Sequence, residues 1–176
     1  MKHLNHLIII LMPVLILTAC NSVKTQDMTT SVPTDELCTQ VKKLIVQHGD
    51  GFQEIKGKVH IARYVDVWDA KYHLVGKGCQ IWRWSDGKQA YMCSVTVPNK
   101  QVAIEKHIKA IKFSKQCLGS EWIVENIENQ KTGAYRSIFS RKEQNTVASV
   151  HRVNTEGLFK SEWTVYYFIG DRDKSL

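Results

Sequence analysis

The residues able to do chemistry are few and scattered: seven His, five Cys, and some Ser, Lys and carboxylate neighbours in a chain of 176 residues. Ser85-Asp86-Gly87-Lys88 has the S-x-x-K spacing that sets a nucleophilic serine one helical turn from a lysine base. Its central Asp-Gly favours a turn, so the match reads as a loop. Gly76-Lys77-Gly78 has half the make-up of a phosphate-cradling loop, but β-rich residues follow where a helix N-terminus would be needed. Neither H-E-x-x-H nor G-x-S-x-G occurs. His48 and His107 fall on or beside apolar helical stripes, where a hydrogen-bonded boundary histidine is commoner than a ligand. His60, His73 and His151 would make a site only if the fold gathered them. Asp171 and Asp173 sit in a polar C-terminal stretch and read as solvated. These residues together predict a non-enzymatic protein with no cofactor and no metal.

Composition narrows the class. With 43% apolar and 23% charged residues, the chain is neither disordered nor collagen-like, and its length suits one domain with a real core. Lys and Arg total 24 against 17 Asp and Glu, a formal charge of +7. The lysines are dispersed, which suits a solvated surface more than a nucleic-acid footprint.

The first residues read as an address. Lys2 and His3 precede an uncharged run, LIIILMPVLIL at 7–17, too short to cross a hydrocarbon layer about 30 Å thick and suited to a secretory signal. Leu17-Thr18-Ala19-Cys20 follows directly, and it resembles the lipobox of bacterial lipoproteins. That resemblance implies diacylglycerol transfer to the Cys20 thiol, cleavage before it, and a mature chain carrying two or three acyl chains. More than one chain gives stable anchoring, at about 0.8 kcal/mol per buried methylene. Asn21 after the lipidated Cys resembles the pattern for outer-membrane delivery, on the periplasmic side, in a source with two membranes. Loss of residues 1–19, which hold one lysine, leaves a basic mature chain. Residues 20–33 read as a flexible tether spanning about 20 Å, and the folded domain is expected over 34–176.

With Cys20 assigned to lipid, Cys38, Cys79, Cys93 and Cys117 remain, an even number in an exported chain. No C-x-x-C knuckle is present, so two disulfides are expected instead of zinc. Four cysteines allow three pairings. Residues 79–97 read as two strands around an Asp86-Gly87 turn. A three-residue loop with a bulge at Gly87 puts Cys79 opposite Cys93 and Ile81 opposite Tyr91. A two-residue loop would shift the register by one and send the thiols to opposite faces. The first register gives the expected pairs Cys79–Cys93 and Cys38–Cys117.

Helical periodicity is clear twice. Thr34 is a candidate N-cap, Asp35 and Glu36 suit a helix N-terminus, and Leu37, Val41, Leu44, Ile45 and His48 recur before Gly49, which predicts a helix over 35–48. Pro98-Asn99 opens a second, with Ala103, Ile104, His107, Ile108, Ile111 and Leu118 as its apolar stripe and Gly119 as its end. Strands are expected at 57–67, 70–75, the hairpin, 121–127, 135–140, 146–153 and 163–169. The order α, three or four β, α, four β predicts an α+β fold, two helices on one face of an antiparallel sheet. In outline this is similar to the small secretion-chaperone type of fold. The halves share element order without a residue-level repeat.

In the preferred hairpin register Cys79, Ile81, Tyr91, Cys93 and Val95 share one face, leaving Trp82, Trp84 and Met92 on the other, while Arg83 stays off it. Aromatic residues and Met concentrate binding energy at interfaces, so these three are the expected partner-binding residues. The alternative is that a loop or the curling sheet covers them. In size and layout the mature domain resembles small disulfide-containing immunity or inhibitor lipoproteins. The expected function is a membrane-anchored, non-enzymatic protein-binding module for a neutral or acidic partner, with a structural or assembly lipoprotein as the alternative. Nucleic acid is not an expected partner. Mass spectrometry of the membrane fraction is expected to find an N-terminal peptide starting at acylated Cys20, and Cys20→Ala to move the protein out of that fraction. An unmodified Met1 terminus in the soluble fraction would contradict this.

Overall fold

The computed structural model describes residues 35–61, 64–156 and 161–174. The signal segment 1–19, Cys20, the tether 20–33 and the Thr34 cap lie outside the described residues. The first helix, α1 (Asp35–Gly49), buries Leu37, Val41 and Leu44, positions that fall on one side of a 3.6-residue period, and carries Asp35 and Glu36 in its first turn. The second, α2 (Lys100–Leu118), is capped by Asn99, whose side chain accepts from the Val102 amide at 2.9 Å. Gly119, at φ 85°, closes it by donating its amide to the Lys115 carbonyl. The buried stripe of α2 is Ala103, His107, Ala110, Phe113, Ser114 and Cys117. Ile108, expected on that stripe, is 58% exposed, because the packed face runs through Ala103, His107, Ala110, Ser114 and Cys117 and residue 108 lies about 100° round the helix from 107.

Eight strands follow the expected order: β1 (Lys56–Ile61), β2 (Val65–Ala70), β3 (Gly78–Trp84), β4 (Gln89–Val97), then after α2 β5 (Ile123–Glu128), β6 (Tyr135–Ser140), β7 (Thr146–Glu156) and β8 (Ser161–Asp171). They form a single antiparallel sheet in the order β1-β2-β3-β4-β8-β7-β6-β5. Each helix is followed by a four-stranded meander, and the two meanders join where β4 pairs with β8. Both helices pack on the same sheet face, over a core that includes Ile81, Tyr91, Val150, Val165, Tyr167 and Ile169. The fold is α+β, as expected.

Two strand expectations are corrected. The span 57–67 is not one strand: it divides into β1 and β2, which pair with each other through His60↔Val67 and Ile61↔Asp66. Residues 70–75 were expected to form a strand, but beyond Ala70 they lie outside the ladder. Leu74 and Val75 are fully buried there and fill the core as a connection. The Tyr91 hydroxyl replaces a ladder partner, accepting from the Leu74 amide at 3.2 Å and donating to the Tyr72 carbonyl at 3.0 Å. Gly76 ends this connection at φ +62°, where a Cβ would stand 2.5 Å from the Ser94 carbonyl oxygen.

Both disulfides have the expected connectivity. Cys79 faces Cys93 directly across β3 and β4, Ile81 faces Tyr91, and Gly87 takes φ +83° in the three-residue loop. Cys38–Cys117 ties the first turn of α1 to the last turn of α2, across 79 residues of sequence. Closing the longer loop removes more freedom from the unfolded chain. Replacing Cys38 and Cys117 by Ala is therefore expected to cost about 4 kcal/mol, against about 3 kcal/mol for Cys79 and Cys93. Denaturant midpoints of the two double variants check the order; a larger loss for the hairpin pair would contradict it.

Candidate protein-binding face

Successive residues of a strand point to opposite faces, so the helix-packed core defines a second face by subtraction. In β4 and β8, Tyr91, Cys93, Val165, Tyr167 and Ile169 face the helices, while Met92, Tyr166 and Phe168 face away. On β3 the same alternation puts Cys79 and Ile81 toward the helices and Trp82 and Trp84 on the opposite side. Arg83 is on the helix side of the sheet, ion-paired with Asp66 and 5.2 Å from the Trp68 ring. Trp82, Trp84 and Met92 thus share a face on which neither helix packs.

This face has its own small apolar cluster. Ala90, Ile138, Val147 and Phe168 are buried there, with Trp84 and Met92 packed against them. Gly170 allows the Phe168 ring to lie close to the sheet: a Cβ at 170 would meet Phe168 Cζ at 2.8 Å and Ala90 Cβ at 2.7 Å. The Trp82 and Trp84 rings are 6.2 Å apart, and Trp82 Nε1 donates to Gln80 Oε1 at 3.2 Å. Lys174 sits 5.5 Å from the Trp84 ring and pairs with Asp86 at 2.9 Å. The C-terminal turn therefore covers part of Trp84, and all three expected binding residues are half-buried. They form a shaped apolar surface backed by a second cluster, intermediate between a bare patch and a covered one.

Beyond Met92 the same face opens into a cavity of about 460 Å³. Phe168, Tyr166, Val153 and Ile127 line it together with Met92, and Arg136 and His151 add polar groups. None of these partners of Met92 was anticipated, because they come from β5, β6, β7 and β8, whose pairing with β4 carries no local sequence signal. The available clue was β8, which is apolar on both of its faces.

The histidines do not converge. His48 Nδ1 is 2.8 Å from Thr146 Oγ1 and its Nε2 is 3.4 Å from Asp171, so Asp171 anchors the end of α1 and is not a solvated tail residue. Asp173 pairs with Lys88 but stays exposed, in keeping with a solvated residue. His60 meets Asp69 at 2.8 Å near the β1 edge, and His73 belongs to the connection after β2. His107, under α2, bonds the Val150 carbonyl at 3.1 Å. Among the described residues no three His, Cys, Asp or Glu side chains are grouped to hold a metal. Ser149 and His151 lie 2.8 Å apart and have the atom types of a nucleophile and a base, but Ser149 is fully enclosed.

Burial lowers the pKa of His107 to about 4 and that of His151 to about 3. Both stay neutral in the folded protein at pH values where the unfolded chain binds protons. Stability is therefore full above about pH 6.5 and falls as pH drops toward 4 for His107 and 3 for His151. The unfolding free energy from urea titrations is expected to fall by about 2 kcal/mol per histidine between pH 7 and 4.5, with His107→Gln flattening that slope. An unchanged slope in His107→Gln would show that His107 does not carry it.

No family model, curated protein or solved structure matches the chain, so the function of this face is read from its own geometry.

Proposed function

We propose that the chain is an envelope lipoprotein, held to a bilayer through Cys20, whose helix-free sheet face captures a protein partner. The observation that supports this most is the placing of Trp82, Trp84 and Met92 together, half-buried, on the face opposite the two described helices. Trp buries a large area with little conformational freedom to lose, which is why it dominates interface energetics. One disulfide, Cys79–Cys93, locks the β3–β4 hairpin that carries these residues and a second, Cys38–Cys117, ties the two helices behind the sheet, so the face is ordered before binding and little entropy is lost on docking. The lipobox resemblance supports a location outside the cytosol, at the outer membrane on its periplasmic side where two membranes exist. The basic balance of the chain favours a neutral or acidic partner. An immunity protein or an inhibitor of an exported toxin or hydrolase has these requirements: an anchor, a rigid face and no need for catalytic groups.

Affinity capture from envelope extract with the full chain tests the reading. Trp82→Ala/Trp84→Ala is expected to weaken recovery of a specific partner by about 30-fold or more, the effect of losing a hot-spot pair. Arg83→Ala, on the opposite face, is expected to leave it unchanged. Equal capture by the double tryptophan variant, with a native circular dichroism spectrum, would remove the face from the account.

A further inference from the structure

The cavity beside Met92 differs chemically from the tryptophan stripe. Its walls come from five strands: Met92 on β4, Phe168 and Tyr166 on β8, Val153 on β7, Arg136 on β6 and Ile127 on β5. Its volume, about 460 Å³, falls in the range of small-molecule pockets. Among the described residues that line it a single fixed charge is present, the Arg136 guanidinium, and no carboxylate. Arg136 stands opposite His151 across β6 and β7, and the His151 Nε2 is already engaged with Ser149. Burial keeps that imidazole neutral, so the positive character of the cavity does not change between pH 5 and 8.

An apolar chamber with one cation at its wall selects a complementary molecule: an apolar body that gains by leaving water, and one negative head that the guanidinium can hold. A positive head would be repelled, and a neutral one would gain no charge-assisted bond. Arg136 has contacts within the protein, and its five N–H donors allow it to keep them while forking onto a carboxylate.

We propose that this cavity binds a small amphiphilic carboxylate, its apolar body against Met92, Phe168 and Val153 and its head on Arg136. The site goes beyond the protein-capture reading and does not depend on it, since the tryptophans do not line the cavity. Met92 provides the test, because the other methionines, Met1, Met12 and Met28, lie outside the described residues. In full-length protein carrying ¹³C-methyl methionine, decanoate is expected to shift the Met92 methyl resonance saturably. It should bind about tenfold or more tightly relative to decyltrimethylammonium, with decanol between them. Arg136→Gln is expected to bring decanoate down to the level of decanol while leaving decanol unchanged, and Arg136→Lys to restore part of the difference. Val153→Trp, which fills the chamber, is expected to abolish all three responses. Trp82→Ala, at a residue outside both the cavity lining and the Phe168 cluster, should leave decanoate binding intact, which separates this site from the partner face. No Met92 response to decanoate, equal binding of the three head groups, or an unaffected Arg136→Gln variant would each overturn the proposal.

Discussion

The antiparallel pairing of β4 with β8 is the interaction on which the rest depends. It joins two α-β4 units into one sheet and sets, by its register, which side chains meet the helices. Cys93 opposite Tyr167 and Tyr91 opposite Ile169 build the core, and the intervening pair Met92 and Phe168 is sent to the other side. A slip of one residue in β8 would exchange its two sets and turn Val165, Tyr167 and Ile169 away from the helices. The helix-free face is thus fixed by the same constraint that forms the core.

That face is kept in shape from behind and from its rim. Behind it, Tyr91, fully buried, bonds the connection before β3, and Tyr167 is enclosed beside Ser114 of α2, its hydroxyl pushed up to about 12 by burial. At one end of the sheet, His48 contacts both Thr146 and Asp171, linking α1 to the beginning of β7 and the end of β8. The Cys38–Cys117 bridge links the two helices, and the Cys79–Cys93 bridge locks the hairpin that carries Trp82 and Trp84. Rigid support of this kind suits recognition, because a preordered surface has little freedom left to lose on binding.

Much of the fold was legible where the signals are local. Leu37, Val41 and Leu44 mark a helix by their spacing, Asn99 marks the start of another by its capping chemistry, and Asp86-Gly87 sets a hairpin whose register decides a disulfide. The placing of Trp82, Trp84 and Met92 on one face followed from that register. Local signals failed at Leu74 and Val75, whose apolar character reflects a buried connection and not a strand, and at Ile108, which lies beside the packed line of its helix and not on it. They could not reach the cavity. Its walls meet only through the β4–β8–β7–β6–β5 order, a long-range arrangement that leaves no mark within any one segment.

Photo-crosslinking in intact cells tests the central claim most directly, with a benzophenone side chain placed at 84 or 92 on the helix-free face and at 83 or 108 on the opposite side. The account gives one discrete protein adduct from 84 and 92 and none from 83 or 108. Adducts arising only from 83 or 108, with 84 and 92 silent in folded protein, would contradict it.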